Sequence, residues 1–360
     1  MDENGGFLVW EENGSIKTGS EIKAIRLDSN LTKVSGISIN KVVTGEQSKP
    51  QASFLTGGAT IFVWQGNGLK TFDIYARILK ENGTFLTSDL RVNTYTKDQQ
   101  SSPVVSSLED GGAMIAWQSS GQDGSLMGIY ARKILATGKL APKEFQVNQF
   151  TEFNQRTPSI ATLSNGNVVI AWVSEQERFV DSIDIYARLF NSSGEALSGE
   201  LLLNSANNLC ANPSVAALVD GGFTIAWSEK DALNRSNNWD IVGRSFSASG
   251  IPVDGDFKIN TIVYGDQYRP KIATVGNDCF VVWTSLGHDG SREGVYGRVL
   301  AGGKQPVGND LLINNTTVSQ QIHPAVSSSG SNRFLVTWSS FVATYGFDLF
   351  GRKFTLNQQP

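Results

Sequence analysis

Five glutamines, Gln47, Gln100, Gln155, Gln267 and Gln321, each stand three residues before a proline. An amide carries two donors and an acceptor, so a set of them gathered at one face could hold a polar ligand such as a glycan. The competing reading is structural, each amide satisfying backbone groups of its own unit or the next. Cys210 occupies the equivalent place once. Trp239 is the one tryptophan of eight outside a regular position, and an indole there could stack on a sugar face. Phe72, Met127, Ile183 and Phe347 hold the aligned positions, which favours an apolar contact within the fold at least as strongly.

Acidic residues recur as well. Asp73, Asp184, Asp240 and Asp348 open matching segments, and hydrolytic chemistry would need two such carboxylates to converge about 5–10 Å apart. Bonding backbone amides at loop ends is the plainer expectation. Asp123-Gly124-Ser125 and Asp289-Gly290-Ser291 read as turns, with a weak calcium option at Asp123 and Asp289, because neither loop has the dense oxygen spacing of a calcium loop. His288 and His323 are the only histidines, which leaves little for a Ser-His-Asp triad or a histidine-based metal centre. No catalytic residue and no cofactor is implied.

The elements that position these residues form a repeat. Tryptophan recurs at Trp10, Trp64, Trp117, Trp172, Trp227, Trp283 and Trp338, and arginine follows at Arg26, Arg77, Arg132, Arg188, Arg244, Arg298 and Arg352, a period near 55 residues. A fixed period overrides the length-based expectation of two or three domains, since repeat units share a core with their neighbours. Each unit reads as four short strands. Strand A opens at Pro50, Pro103, Pro158, Pro213, Pro270 or Pro324, where a proline at the first residue of a strand removes no ladder bond. A Gly-containing turn leads to strand B, which ends in Trp. Strand C ends in Arg, and strand D closes at Asn40, Asn93, Asn148, Asn204, Asn260 and Asn314.

Runs such as Val168-Val169-Ile170-Ala171-Trp172 lack polar alternation, so both faces of strand B are expected to be covered. The small residue before each Arg should face the neighbouring unit's Trp. The fold class is therefore all-β, a seven-bladed β-propeller of four-stranded antiparallel blades forming one domain over 1–360. The repeats run approximately 1–40, 50–93, 103–148, 158–204, 213–260, 270–314 and 324–360. One strand A and one strand D are wanting at the two ends, as expected of a piece of a longer array.

Composition bounds the partners. Charged residues are 18% of the chain and the net charge is −4, with no clustered Lys and Arg to displace counterions from nucleic acid. No apolar run approaches the length of a membrane span, so no membrane insertion is expected. Cys210 and Cys279 sit at different repeat positions and read as free buried thiols.

The strings Val219-Asp220-Gly221-Gly222-Phe223, Asp184-Ile185-Tyr186-Ala187-Arg188, Gly121-Gln122-Asp123-Gly124-Ser125 and Val92-Asn93-Thr94-Tyr95-Thr96 resemble the propeller-like repeats of very large secreted or cell-surface proteins of bacteria and ciliates. The resemblance spans essentially the whole chain. It implies an extracellular or cell-surface location and further repeats of the same parent chain as possible neighbours. The expectation is a non-catalytic interaction or adhesion module, not an enzyme, whose D–A and B–C loops face a glycan or an extracellular protein. The alternatives are a structural spacer and a polysaccharide-acting propeller hydrolase or lyase. Against the last stand the near-identity of the repeats and the want of one unit with an out-of-pattern cluster of acids and histidine.

Overall fold

A computed structural model describes all residues except 2–3, 15–18, 68–70, 234–237, 331, 344–345 and 357–360. Its strands form seven antiparallel sheets in sequence order. The first holds β1 (Gly6–Glu12), β2 (Glu21–Leu27) and β3 (Lys33–Ser38), and the second β4 (Gln47–Phe54), β5 (Thr60–Asn67), β6 (Phe72–Leu79) and β7 (Leu90–Arg91). The third holds β8 (Gln100–Ser107), β9 (Ala113–Ser120), β10 (Met127–Ile134) and β11 (Phe145–Gln146), and the fourth β12 (Gln155–Thr162), β13 (Val168–Glu175), β14 (Ile183–Phe190) and β15 (Leu201–Leu202). The fifth holds β16 (Leu209–Ala217), β17 (Phe223–Lys230), β18 (Asp240–Phe246) and β19 (Phe257–Lys258). The sixth holds β20 (Gln267–Val275), β21 (Asp278–Leu286), β22 (Glu293–Ala301) and β23 (Gln305–Leu312), and the seventh β24 (Gln321–Ser328), β25 (Arg333–Val342) and β26 (Gly346–Thr355). This is a seven-bladed β-propeller, with three strands in its first and last blades. Among the described residues no helix is long and apolar enough to cross a membrane.

Two compact units divide the chain. One is Met1–Thr162, Gly166–Ser174 and Arg188–Glu200; the other is Leu163–Asn165, Glu175–Ala187 and Leu201–Pro360. In the first unit the opening strands β1, β4, β8 and β12 lie side by side, and in the second β16, β20 and β24 do the same. Strand A is thus the inner strand of the second to seventh blades, and in the first blade the Trp strand β1 takes that place.

The tryptophans build the cores between blades. Trp117 of β9 packs with Ile61, Val63 and Ala76 of the preceding blade, and Trp283 of β21 packs with Ala226, Ile241 and Ile259 in the same way. Burial on both faces explains why strand B has no polar alternation. Hairpin turns need glycine where φ is positive, as at Gly111 (φ 82°), while a Cβ on Gly112 would collide with the Ile134 carbonyl oxygen.

Two details differ from expectation. The strand-A proline is not the first residue but the fourth or fifth, and it sits at a bulge: register shifts fall between Ser48 and Gln51, Ser101 and Val104, Tyr268 and Lys271, and at the matching places in other blades. A bulge leaves a residue out of the ladder, so the missing N–H costs nothing there. The small residue before the Arg meets different neighbours in different blades: Ala76 packs in one cluster with Trp117 of the next blade, as expected, whereas a Cβ on Gly243 would lie 2.9 Å from Phe257 and 3.0 Å from Ile259 of its own strand D. The Arg itself ties blades together. Arg132 Nη1 donates to the carbonyl of Val92 in the preceding blade (2.7 Å) and its Nε to Ala141 O (2.8 Å).

Candidate active site on the inner strands

Every inner-strand bulge places the residue before proline in the left-handed region. Lys49 (φ 51°), Ser102 (55°), Thr157 (51°), Asn212 (54°), Arg269 (56°) and His323 (55°) all adopt it. None is glycine, and a residue before proline is normally extended, so each holds strain of roughly 1–3 kcal/mol that the surrounding blade must overcome. Such positions aim a side chain away from the regular pleat. Here the copies disagree in chemistry, whereas the proline that follows is present in all six.

In the second unit two of these strands, β20 and β24, bring together a group of basic and hydroxyl side chains. The Arg269 backbone N–H donates to Ser228 Oγ (3.0 Å), which anchors the bulge. On the same strand Lys271 reaches solvent, yet the protein around it removes enough water to push its pKa down, and the Arg269 charge pushes it further the same way. His323 on the adjacent inner strand is lowered by the same two causes, desolvation first and Arg269 second. Its imidazole is therefore held neutral at pH 7 and can accept a proton. Tyr268, half-buried beside Arg269, is raised by desolvation foremost and also by Glu293, so it keeps its proton. The strand pair thus presents a fixed cation, a neutral base and protonated donors, which suits removal of a proton next to a carboxylate.

The five glutamines have a different place. All are buried, with Gln100, Gln155 and Gln321 fully so. Each side-chain amide donates to a carbonyl just upstream: Gln47 to Thr44 (3.3 Å), Gln100 to Asp98 (3.1 Å), Gln155 to Glu152 (2.7 Å), Gln267 to Tyr264 (3.0 Å) and Gln321 to Val318 (2.9 Å). Gln47 and Gln100 also accept from Trp64 and Trp117 Nε1. Gln47 and Gln100 thereby tie the D–A loop to the Trp strand. Trp239 is half-buried, and its backbone bonds Asp266 Oδ1 (3.1 Å) and the Gln267 N–H (2.8 Å). Residues 234–237 of the loop before it lie outside the described residues.

Three of the four acids are committed to strand-D asparagines, while Asp348 on the three-stranded seventh sheet is exposed. Asn93 Nδ2 donates to Asp73 (2.6 Å), Asn204 to Asp184 (2.9 Å) and Asn260 to Asp240 (2.7 Å), so the partners are side-chain amides and not the backbone amides expected. Asp123 and Asp289 accept from the backbone N–H of Ser125 and Ser291 (both 3.2 Å) and from Asn148 and Asn314 (both 3.4 Å). Among the described residues no group of three or more His, Cys, Asp or Glu could hold a metal ion.

A second out-of-pattern cluster lies in the second unit, where Cys210 replaces glutamine. Trp227 Nε1 turns to Glu229 Oε2 (3.0 Å), and Asn208 Nδ2 donates to Glu229 Oε1 (2.8 Å). Fully buried Asp184 receives a two-pronged contact from Arg178 (2.5 and 3.2 Å). Burial, with Glu229 and Asp184 nearby, pushes the Cys210 thiol well above its usual range, which favours the protonated form.

No known protein family and no curated protein matches the sequence. Among solved structures, the fold is shared with the polysaccharide lyase Uly1 (TM-score 0.62, 11% identity, 99% of this chain and 89% of that one). It is also shared with an α-L-arabinanase of Penicillium chrysogenum complexed with arabinobiose (TM-score 0.59, 11% identity, 86% and 93%). A third is the β-propeller domain of the trilobed protease of Pyrococcus furiosus (TM-score 0.57, 11% identity, 99% and 93%). At these identities the likeness is one of fold. It nevertheless overturns the expectation that the chain is no enzyme, which rested on the regularity of the repeats. Propellers of this build include a polysaccharide lyase and an arabinanase, and the regular strands here carry irregular chemistry at the bulges.

Proposed function

We propose that the protein acts on an acidic polysaccharide outside the cell, cleaving it by β-elimination at the inner-strand group Tyr268, Arg269, Lys271 and His323. The observation that carries this reading is the pairing of Arg269 with a neutral His323 on adjacent bulges. Arg269 binds the uronate carboxylate and neutralises it, which acidifies the neighbouring carbon-bound proton. His323 takes that proton. The electron pair forms a carbon–carbon double bond, the glycosidic carbon–oxygen bond on the next carbon breaks, and the leaving oxygen takes a proton from Tyr268 or Lys271 on the same strand.

Elimination fits better than hydrolysis because Asp73, Asp184 and Asp240 each hold a strand-D asparagine, whereas a glycosidase needs two carboxylates clear to act on one bond. The fold shared with a polysaccharide lyase supports the reading, and so does the resemblance of the repeats to those of secreted proteins. The test is a panel of uronate-containing polysaccharides followed by ultraviolet absorbance of the new unsaturated carboxylate, with neutral arabinan beside it. The expected result is a rise with at least one uronate polymer, lost in Arg269→Ala. No rise with any of them, or new reducing ends from arabinan alone, would overturn it.

A further inference from the structure

The inner-strand bulges are tied to the blade before them by a recurring hydrogen bond, and at His323 that bond is not made. The residue that directly follows the strand-B tryptophan takes the face opposite to the indole. In four blades its side chain accepts the N–H of the next blade's pre-proline residue. Glu11 accepts from Lys49, Gln65 from Ser102 (2.9 Å), Gln118 from Thr157 (3.1 Å) and Ser228 from Arg269 (3.0 Å). Val173, after Trp172, has no side-chain acceptor. Thr284, after Trp283, has one and leaves it unused.

Thr284 is fully buried, and among the described residues its Oγ1 has no hydrogen-bond partner. It stands on β21 opposite Tyr268 of β20, while Trp283 beside it packs with Ala226 and Ile241 of the fifth blade. The hydroxyl therefore belongs to the face turned to the seventh blade, where β21 lies against β24. The ladder from β24 to β25 breaks after Ile322 and resumes at Ala325, which leaves the His323 N–H outside it. A spare donor and a buried spare acceptor thus stand at the two positions that four other bulges join. His323 already has the backbone of the tied copies, with φ 55° against 56° at Arg269 and 55° at Ser102, so closing the bond needs a shift of the bulge and no new conformation. A buried hydroxyl that gives up water and gains no partner opposes the folded state, so its presence here points to a bond made when the site is filled.

We infer that Thr284 is a positioning residue for His323: with uronate bound at Arg269, the β24 bulge seats on the Thr284 hydroxyl as the β20 bulge already sits on Ser228. The inference rests on the reading of His323 as the base. In the free protein the Arg269 charge acts on both Lys271 and His323. The substrate carboxylate neutralises that charge and brings the carbon-bound proton to the imidazole, whose contact with it draws the bulge to its seat. Thr284 touches neither substrate nor reacting atoms. Its bond to the His323 N–H holds the ring against the proton to be removed, a gain realised only with substrate in place, which is the kind that raises kcat.

The test sets Thr284→Val, which keeps the shape and removes the hydroxyl, beside Thr284→Ser, which keeps the hydroxyl. Rates are read by ultraviolet absorbance on whichever of polygalacturonate, alginate and chondroitin sulfate the parent cleaves. Thr284→Val should lower kcat about tenfold or more with KM held within about twofold, and Thr284→Ser should recover most of the loss. Melting temperature separates this from a structural role. Because the hydroxyl is unpaired in the free protein, Thr284→Val should melt no lower than the parent, whereas Ser228→Ala, which breaks a bond already made, should melt lower. A lower melting temperature in Thr284→Val would mean that the hydroxyl is bonded without substrate, and that overturns the inference. An unchanged kcat, or a loss that Thr284→Ser does not recover, overturns it while the cleavage by the parent leaves the reading of the site standing. A parent that cleaves no uronate polymer overturns both.

Discussion

Trp227 Nε1 donates to Glu229 Oε2 at 3.0 Å, whereas Trp64 at the same repeat position donates to Gln47 Oε1 at 2.9 Å. The acceptor has moved from strand A to the end of strand B because Cys210 cannot serve. The indole N–H is buried in both blades and needs a partner in each. Glu229→Ala should therefore cost about 1–3 kcal/mol, the price of an unpaired buried donor. Adding Cys210→Gln to that variant should recover part of the loss by restoring the acceptor that Trp64 and Trp117 use. Urea unfolding of the parent, the single and the double variant measures both steps, and no recovery would show that the glutamine is not interchangeable with Glu229.

Trp227 is fully buried, as are Trp64, Trp117, Trp172 and Trp283, to within 1%. Trp227→Ala should cost about 3–5 kcal/mol through lost burial and a residual cavity. Trp10, only half-buried on the first sheet, should cost clearly less on the same substitution. Equal losses in calorimetric or urea unfolding would mean that the burial of the indole does not set its contribution.

Thr157 combines a left-handed φ of 51° with a branched Cβ and a buried hydroxyl that has no hydrogen-bond partner. Both features oppose the folded state. Asn212 stands at the same place in the fifth blade, and asparagine tolerates this conformation best after glycine. Thr157→Asn should raise stability by about 1 kcal/mol. A lower melting temperature in this variant would show that the Thr157 side chain packs in a way that outweighs the strain.

Much of the fold was legible because it is periodic. The spacing of Trp and Arg, the glycine turns and the strand-D asparagines each mark one strand, and the strands fall where these residues put them. The role of each regular residue was less so, because strand periodicity gives a face but not the neighbour on it. Arg132 could not be assigned to the Val92 carbonyl, forty residues away, without the blade stacking that brings them together. The candidate site was missed for a related reason. Arg269 and His323 stand just before prolines, where an extended backbone is the usual inference, and only the bulge turns them out of the strand. One signal was available in sequence: beside a proline present in all six copies stand Lys49, Ser102, Thr157, Asn212, Arg269 and His323, which differ in charge and chemistry.

His323 sets the expected pH dependence. Burial and the Arg269 charge lower its pKa from 6.5, so the acid limb of kcat/KM for uronate polysaccharide should have its midpoint below 6.5. Removing the guanidinium in Arg269→Ala should move that midpoint upward while lowering the rate about 100-fold or more, through loss of the carboxylate partner. Stability should follow the same group. A histidine whose folded pKa is depressed binds its proton more readily when unfolded, so its contribution is complete above pH 6.5 and is lost as pH falls from there toward the folded pKa. His288, also lowered by burial, acts in the same direction, so the comparison that isolates His323 is the parent against His323→Gln. The variant should show a flatter fall in melting temperature between pH 6.5 and 5. An unchanged fall would place the titration elsewhere, and an acid limb unmoved by Arg269→Ala would separate His323 from the reaction.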